Sequence, residues 1–233
     1  MAFLGWNIRH HIAWNGETEI VRLDGGEFKL SGLFVKPNGE GPHAAVVILH
    51  GSGRLDGIHD IPSYRVHANA FLRKGLAVLV YDKRGVGNSD GDFSVSTNDD
   101  FVQDAVAAVR YLRSRNDVDS LRIGLLGSSE GGWLTPEVAT LAGDIAFVVN
   151  RCGPPLPWDE TVLFEIENDL EAEGTDPEII QEVLRLKRII WKYYVDASTD
   201  SAPATGTQRD EIDAALSALY ARAVDSDSLG LPQ

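Results

Sequence analysis

A serine flanked by glycines, in the run Gly127-Ser128-Ser129-Glu130-Gly131, is the feature of this chain best suited to chemistry. The pattern G-x-S-x-G stands between the apolar run Arg122 to Leu126 and a stretch of helical character. In that setting a strand turns sharply into a helix and lifts its serine hydroxyl clear of the sheet for nucleophilic attack. Such a turn forces the serine into a strained backbone conformation. Gly127 and Gly131 lack the β-carbons that would collide with neighbouring backbone there.

Two further loops have compatible character. His50-Gly51-Ser52-Gly53 closes an apolar run at Ala44 to Leu49, and Tyr81-Asp82-Lys83-Arg84-Gly85-Val86-Gly87-Asn88-Ser89-Asp90-Gly91 follows another at Leu76 to Tyr81. The second loop lacks the G-K-S/T of a phosphate-binding loop and the spacing of a dinucleotide fingerprint, so it reads as a shaped rim loop. In a loop such as the first, a histidine more often orders the turn than transfers protons, and His50 is read that way.

In this order and at these separations, H-G-S-G, Y-D-K-R-G-x-G-x-S and G-x-S-x-G-G resemble the α/β-hydrolase superfamily, notably its serine aminopeptidase-like and dienelactone-hydrolase-like esterases. The resemblance covers residues 18 to 155 and implies an acyl-enzyme formed on Ser129 during cleavage of a small ester or amide. It also implies an oxyanion hole made from the backbone N–H of Ser52, with Gly53 next in preference, and that of Glu130. His50, Gly51, Gly127 and Gly131 support the motifs. No metal or organic cofactor is implied, because no His or Cys cluster has ligand spacing.

Positioning these loops requires a sheet. Thr18 to Arg22 and Glu27 to Lys36, separated by Asp24-Gly25-Gly26, read as an antiparallel hairpin. The runs at Ala44 to Leu49, Leu76 to Tyr81, Arg122 to Leu126 and Ala146 to Asn150 read as strands buried on both faces of a parallel sheet. Helical patterns at Ser63 to Lys74 and Phe101 to Arg115, the second capped at Thr97 or Asn98, alternate with them. The fold class is therefore α/β, an α/β-hydrolase sheet with helices on both sides. Beyond Pro157 the pattern is purely helical, at Trp158 to Ala172, Glu178 to Val195 and Asp210 to Ala223.

Charge divides the chain at the same place. Residues 157 to 233 hold 17 acidic against 6 basic side chains, so they carry −11 of the net −14. The expected organisation is an incomplete core over residues 1–156 and a helical cap or lid over 157–233. Aromatic residues of that segment, Trp158, Phe164, Trp191, Tyr193 and Tyr194, could line an acyl pocket, but aromatic residues at helical spacing are more often simple core. The acidic balance argues against nucleic acid and membrane surface as partners. A single cysteine, Cys152, and an opening segment unlike a signal peptide make the cytoplasm the default compartment.

The resemblance also exposes a gap. It implies an acid and then a histidine after the nucleophile, yet His10, His11, His43, His50, His59 and His67 all precede Ser129. The expectation is a truncated enzyme, with a homodimer or a second chain supplying missing strands, acid and base as the partner. The alternatives are a non-catalytic binding scaffold and a rewired site in which His59 or His67 serves as base.

Overall fold

The computed structural model describes residues 13–54, 62–198, 210 and 214. They belong to two compact units, Met1–Pro155 and Leu156–Gln233. Six strands build the first unit: β1 (Glu17–Asp24), β2 (Lys29–Lys36), β3 (His43–Leu49), β4 (Ala77–Tyr81), β5 (Val118–Ser128) and β6 (Phe147–Arg151). They form one sheet in the order β1-β2-β4-β3-β5-β6. β1, β2 and β4 pair antiparallel, while β4, β3, β5 and β6 run parallel to one another. Helices α1 (Pro62–Leu72), α2 (Asn98–Arg113) and α3 (Glu130–Ala142) connect the parallel strands.

The alternation along β3 shows why this region is a two-faced core. Ala45, Val47 and Leu49 pack with Phe101, Val102 and Leu112 of α2 and with Leu134 and Val138 of α3. Val46 and Ile48 point the other way, toward Tyr64, Ala68 and Leu72 of α1. Each fully buried aliphatic side chain contributes about 1.5–3 kcal/mol, so β3 is the natural centre of the sheet. Helix α2 starts at Thr97 through a capping box: Thr97 Oγ1 accepts from the Asp100 N–H at 3.3 Å, and Asp100 Oδ2 accepts from the Thr97 N–H at 2.8 Å.

Three expectations change. β5 starts at Val118, before the apolar run that signals it, because Ser120 to Arg122 are exposed and carry no hydrophobic pattern. The hairpin turn spans residues 25–28, since Gly25 N–H closes on the Phe28 carbonyl at 3.0 Å and delays β2 to Lys29. β6 is not buried on both faces: Val148 and Val149 are exposed, and among the described residues only β5 pairs with it.

The second unit contains α4 (Trp158–Ala172) and α5 (Pro177–Ser198). Gly174, at φ 77°, reverses the chain between them, and Asp176 Oδ1 accepts from the Glu178 N–H at 2.8 Å to start α5. The remaining expected helix, Asp210 to Ala223, lies outside the described residues but for two positions, as do the side chains of Trp158, Tyr193 and Tyr194. Among the described residues no helix is long and apolar enough to cross a membrane.

Candidate active site

Ser129 occupies the one-residue junction between β5 and α3, with φ 54° and ψ −121°. A non-glycine residue at positive φ is strained and persists only where its surroundings over-determine it. Here they do. The Ser129 N–H donates to the Arg151 carbonyl at 2.9 Å, and the Ser129 carbonyl accepts from the Gly132 and Trp133 N–H groups at 2.8 and 3.1 Å. The side chain makes no capping bond to the helix it precedes, and the residue is exposed, so Oγ is not spent on structure.

The glycines around it are spatial necessities. A β-carbon on Gly127 would strike the Gly131 carbonyl, and one on Gly131 would strike the carbonyls of Leu49 and His50. β3 and the elbow therefore touch backbone to backbone. Gly51 lies beside the nucleophile, where an added β-carbon would stand 3.9 Å from Ser129 Oγ. The structure thus brings the loop after β3 and the elbow together. Ser52 and Gly53 continue that loop as exposed residues, with Gly53 at φ 93°. Glu130 is the first residue of α3, where the N–H groups have no partner within the helix.

His50 is buried, and its Nε2–H donates to the Tyr81 carbonyl at 2.7 Å, which binds the end of β3 to the end of β4. This is the turn-ordering role. The Gly51 N–H donates to Tyr64 Oη at 2.8 Å, and burial pushes the Tyr64 hydroxyl above the ordinary tyrosine range. That amide is consequently committed, while Ser52 follows it. His67 lies on α1, partly exposed, whereas His10, His11 and His59 lie outside the described residues. Among the described residues no three His, Cys, Asp or Glu side chains are gathered as a metal would need.

Two charged residues of the rim loop proved more central than their sequence context suggested. Lys83 Nζ lies 2.6 Å from Glu130 Oε1 and 2.9 Å from the Gly51 carbonyl, with both side chains buried. Burial pushes the Lys83 pKa below its ordinary value, and the Glu130 hydrogen bond opposes that. Arg84 grips Asp104 of α2 with two bonds, Nε to Oδ2 at 2.9 Å and Nη2 to Oδ1 at 2.7 Å, and reaches Asp100 with Nη1. Reading Lys83 and Arg84 only as loop shape missed these contacts. The available signal was two cations placed directly after a buried strand, where uncompensated charge is costly.

The α/β fold of the first unit agrees with the family comparison. The profile of the serine aminopeptidase S33 family aligns with residues 40–163, more than half of the chain. The chain belongs to this family of α/β hydrolases. Among curated relatives of this serine aminopeptidase-family chain is the Esterase EstD of Thermotoga maritima, 36% identical over 113 residues, covering 47% of this chain and 27% of that protein. Another is the Putative hydrolase YtaP of Bacillus subtilis, 29% identical over 181 residues, covering 68% and 58% respectively. The Pyrococcus furiosus esterase Pf2001 has a similar structure, with TM-score 0.56 and 24% identity over 67% of this chain and 57% of that one. Acetyl xylan esterase 1 from Thermoanaerobacterium gives TM-score 0.53 at 21% identity, over 76% and 57%. At these identities the structural likeness concerns the fold. The family chain spans between about a quarter and three-fifths of the lengths of these two curated relatives.

Proposed function

We propose that this chain carries the nucleophile and oxyanion hole of a serine hydrolase that cleaves esters. The carrying observation is Ser129, held at φ 54° with its side chain uncommitted to the helix it starts. In the proposed reaction Ser129 Oγ attacks the acyl carbon and gives its proton to a base. The N–H groups of Ser52, or next Gly53, and Glu130 receive the developing oxyanion. The alcohol then leaves with a proton, and water releases the acyl group from Oγ. An ester is preferred over an amide because a curated relative of this chain carries the name esterase.

The base is the open part of the constellation. No histidine follows Ser129 in the 233 residues, and a serine without a base is a weak nucleophile. The proposal places acid and base on polypeptide outside these residues, as a continuation or on a partner chain. Helices α4 and α5 are read as part of a cap because they follow β6 in the chain. The cytoplasm is retained as the compartment on cysteine usage alone.

The test is covalent labelling by a fluorophosphonate probe together with hydrolysis of p-nitrophenyl acetate. The isolated chain is expected to react slowly and Ser129→Ala not at all. Adding the missing acid and base should restore turnover, since loss of triad members costs on the order of 10⁶ in turnover. Efficient turnover abolished by His59→Ala or His67→Ala would favour the rewired site. Absence of Ser129 labelling under every condition would favour a binding scaffold.

A further inference from the structure

Lys83 is a buried cation beside the elbow for which the proposed chemistry has no use. Its ammonium makes two hydrogen bonds and lies over an aromatic ring. One meets Glu130 Oε1 at 2.6 Å and one the Gly51 carbonyl at 2.9 Å, while Nζ lies 4.7 Å from the centroid of the Phe101 ring. The first two partners are notable for what they belong to. The Gly51 carbonyl and the Ser52 N–H are the two ends of one peptide group, and a trans peptide points them in opposite directions. Fixing the carbonyl therefore fixes the direction of the Ser52 N–H. Glu130 likewise provides both the carboxylate that holds Lys83 and the second proposed donor N–H.

We infer that Lys83 is the positioning residue of the oxyanion hole, one ammonium that binds the Gly51–Ser52 peptide and the Glu130 side chain and so holds both donor N–H groups in register. The inference rests on the nucleophile reading above. It adds a physical reason for a buried lysine at this position. A charge-assisted hydrogen bond to a peptide carbonyl also polarises that peptide, which makes its N–H a stronger donor toward developing negative charge. Neutralisation by Glu130 keeps the buried ammonium from requiring water, so the pair acts without exposing the loops. The other face of the same loop is secured independently, because Tyr64 Oη accepts from the Gly51 N–H at 2.8 Å.

The deciding experiment compares the full chain with Glu130→Gln and with the double variant Lys83→Met/Glu130→Gln. The double variant leaves no buried charge without a partner, so it is expected to fold where Lys83→Met alone risks unfolding. Two quantities are measured: the backbone NMR order parameters of the Ser52 and Glu130 N–H groups, and the rate of fluorophosphonate labelling at Ser129. In the double variant both order parameters should fall from the rigid range of about 0.85 toward about 0.6, with those of Val47 and Ile48 unchanged. Labelling should slow on the order of 10- to 100-fold, less than the 10²–10³ typical of deleting a donor outright. Glu130→Gln, which keeps Lys83 on the Gly51 carbonyl, should retain the wild-type order parameter at Ser52. An unchanged Ser52 order parameter in the folded double variant, or a lowered one without slower labelling, would overturn the inference. If the unaltered chain is never labelled at Ser129, the nucleophile reading fails, and the order parameters still decide whether Lys83 holds the two amides.

Discussion

Gly51 faces Ser129 so closely that a β-carbon at position 51 would stand 3.3 Å from the Ser129 β-carbon and 3.9 Å from its Oγ. The loop after β3 and the elbow after β5 are therefore one surface. Gly51→Ala should fold, with a loss of about 1 kcal/mol from crowding, yet slow Ser129 labelling about 10-fold by intruding where an acyl group approaches. Urea unfolding and labelling time courses on the same preparation check this. A variant that loses stability and labelling in equal proportion would argue against a site at this contact.

The backbone contact beneath the elbow should be less forgiving. Gly127→Ala and Gly131→Ala place a methyl group on carbonyl atoms of Gly131 and of Leu49 respectively, with no flexible side chain to yield. Each is expected to cost about 3 kcal/mol or more. Gly75→Ala has open space, and only its φ of 80° at the cap after α1 is unfavourable, so a loss of about 1 kcal/mol is expected. Equal midpoints for Gly131→Ala and Gly75→Ala in urea would contradict the packing argument.

Arg84 and Asp104 join the rim loop to α2. Asp104 is 1% exposed and takes two bonds from the guanidinium. Arg84→Met should cost about 3–5 kcal/mol because it leaves a buried carboxylate uncompensated. Arg84→Met/Asp104→Leu should recover much of that loss. Asp100 is more than one-third exposed, so Asp100→Asn is expected to cost under about 1 kcal/mol. Thermal melts of the three variants provide the comparison.

Arg115 should contribute to acid sensitivity through Asp117. Its Nε and Nη2 hold the two Asp117 carboxylate oxygens at 2.8 and 2.9 Å, and this contact lowers the Asp117 pKa below the ordinary aspartate value. The depressed group stays ionised in the folded chain at pH values where the unfolded chain already binds a proton. Its stabilisation is thus present above about pH 4 and is lost as pH falls through the lowered folded value. Asp117→Asn should melt at a lower temperature than wild type near neutrality and lose less on acidification. Parallel melting curves for the two proteins across pH 5 to 2.5 would refute it.

How far the sequence reached depends on the range of the interactions involved. Helix α4 falls where the residue pattern places it, at Trp158–Ala172, and Thr97 caps α2, because periodicity and capping act within a few residues. The elbow at Ser129 was legible for the same reason: strand, glycine spacing and helix are contiguous. The Lys83–Glu130 pair was not, since its members are separated by 47 positions and meet only after the parallel crossovers set β4, β3 and β5 side by side. The exposure of β6 was equally hidden. An apolar run such as Phe147-Val148-Val149 describes a strand, but whether its faces and outer edge are covered is decided by what packs beside it in three dimensions.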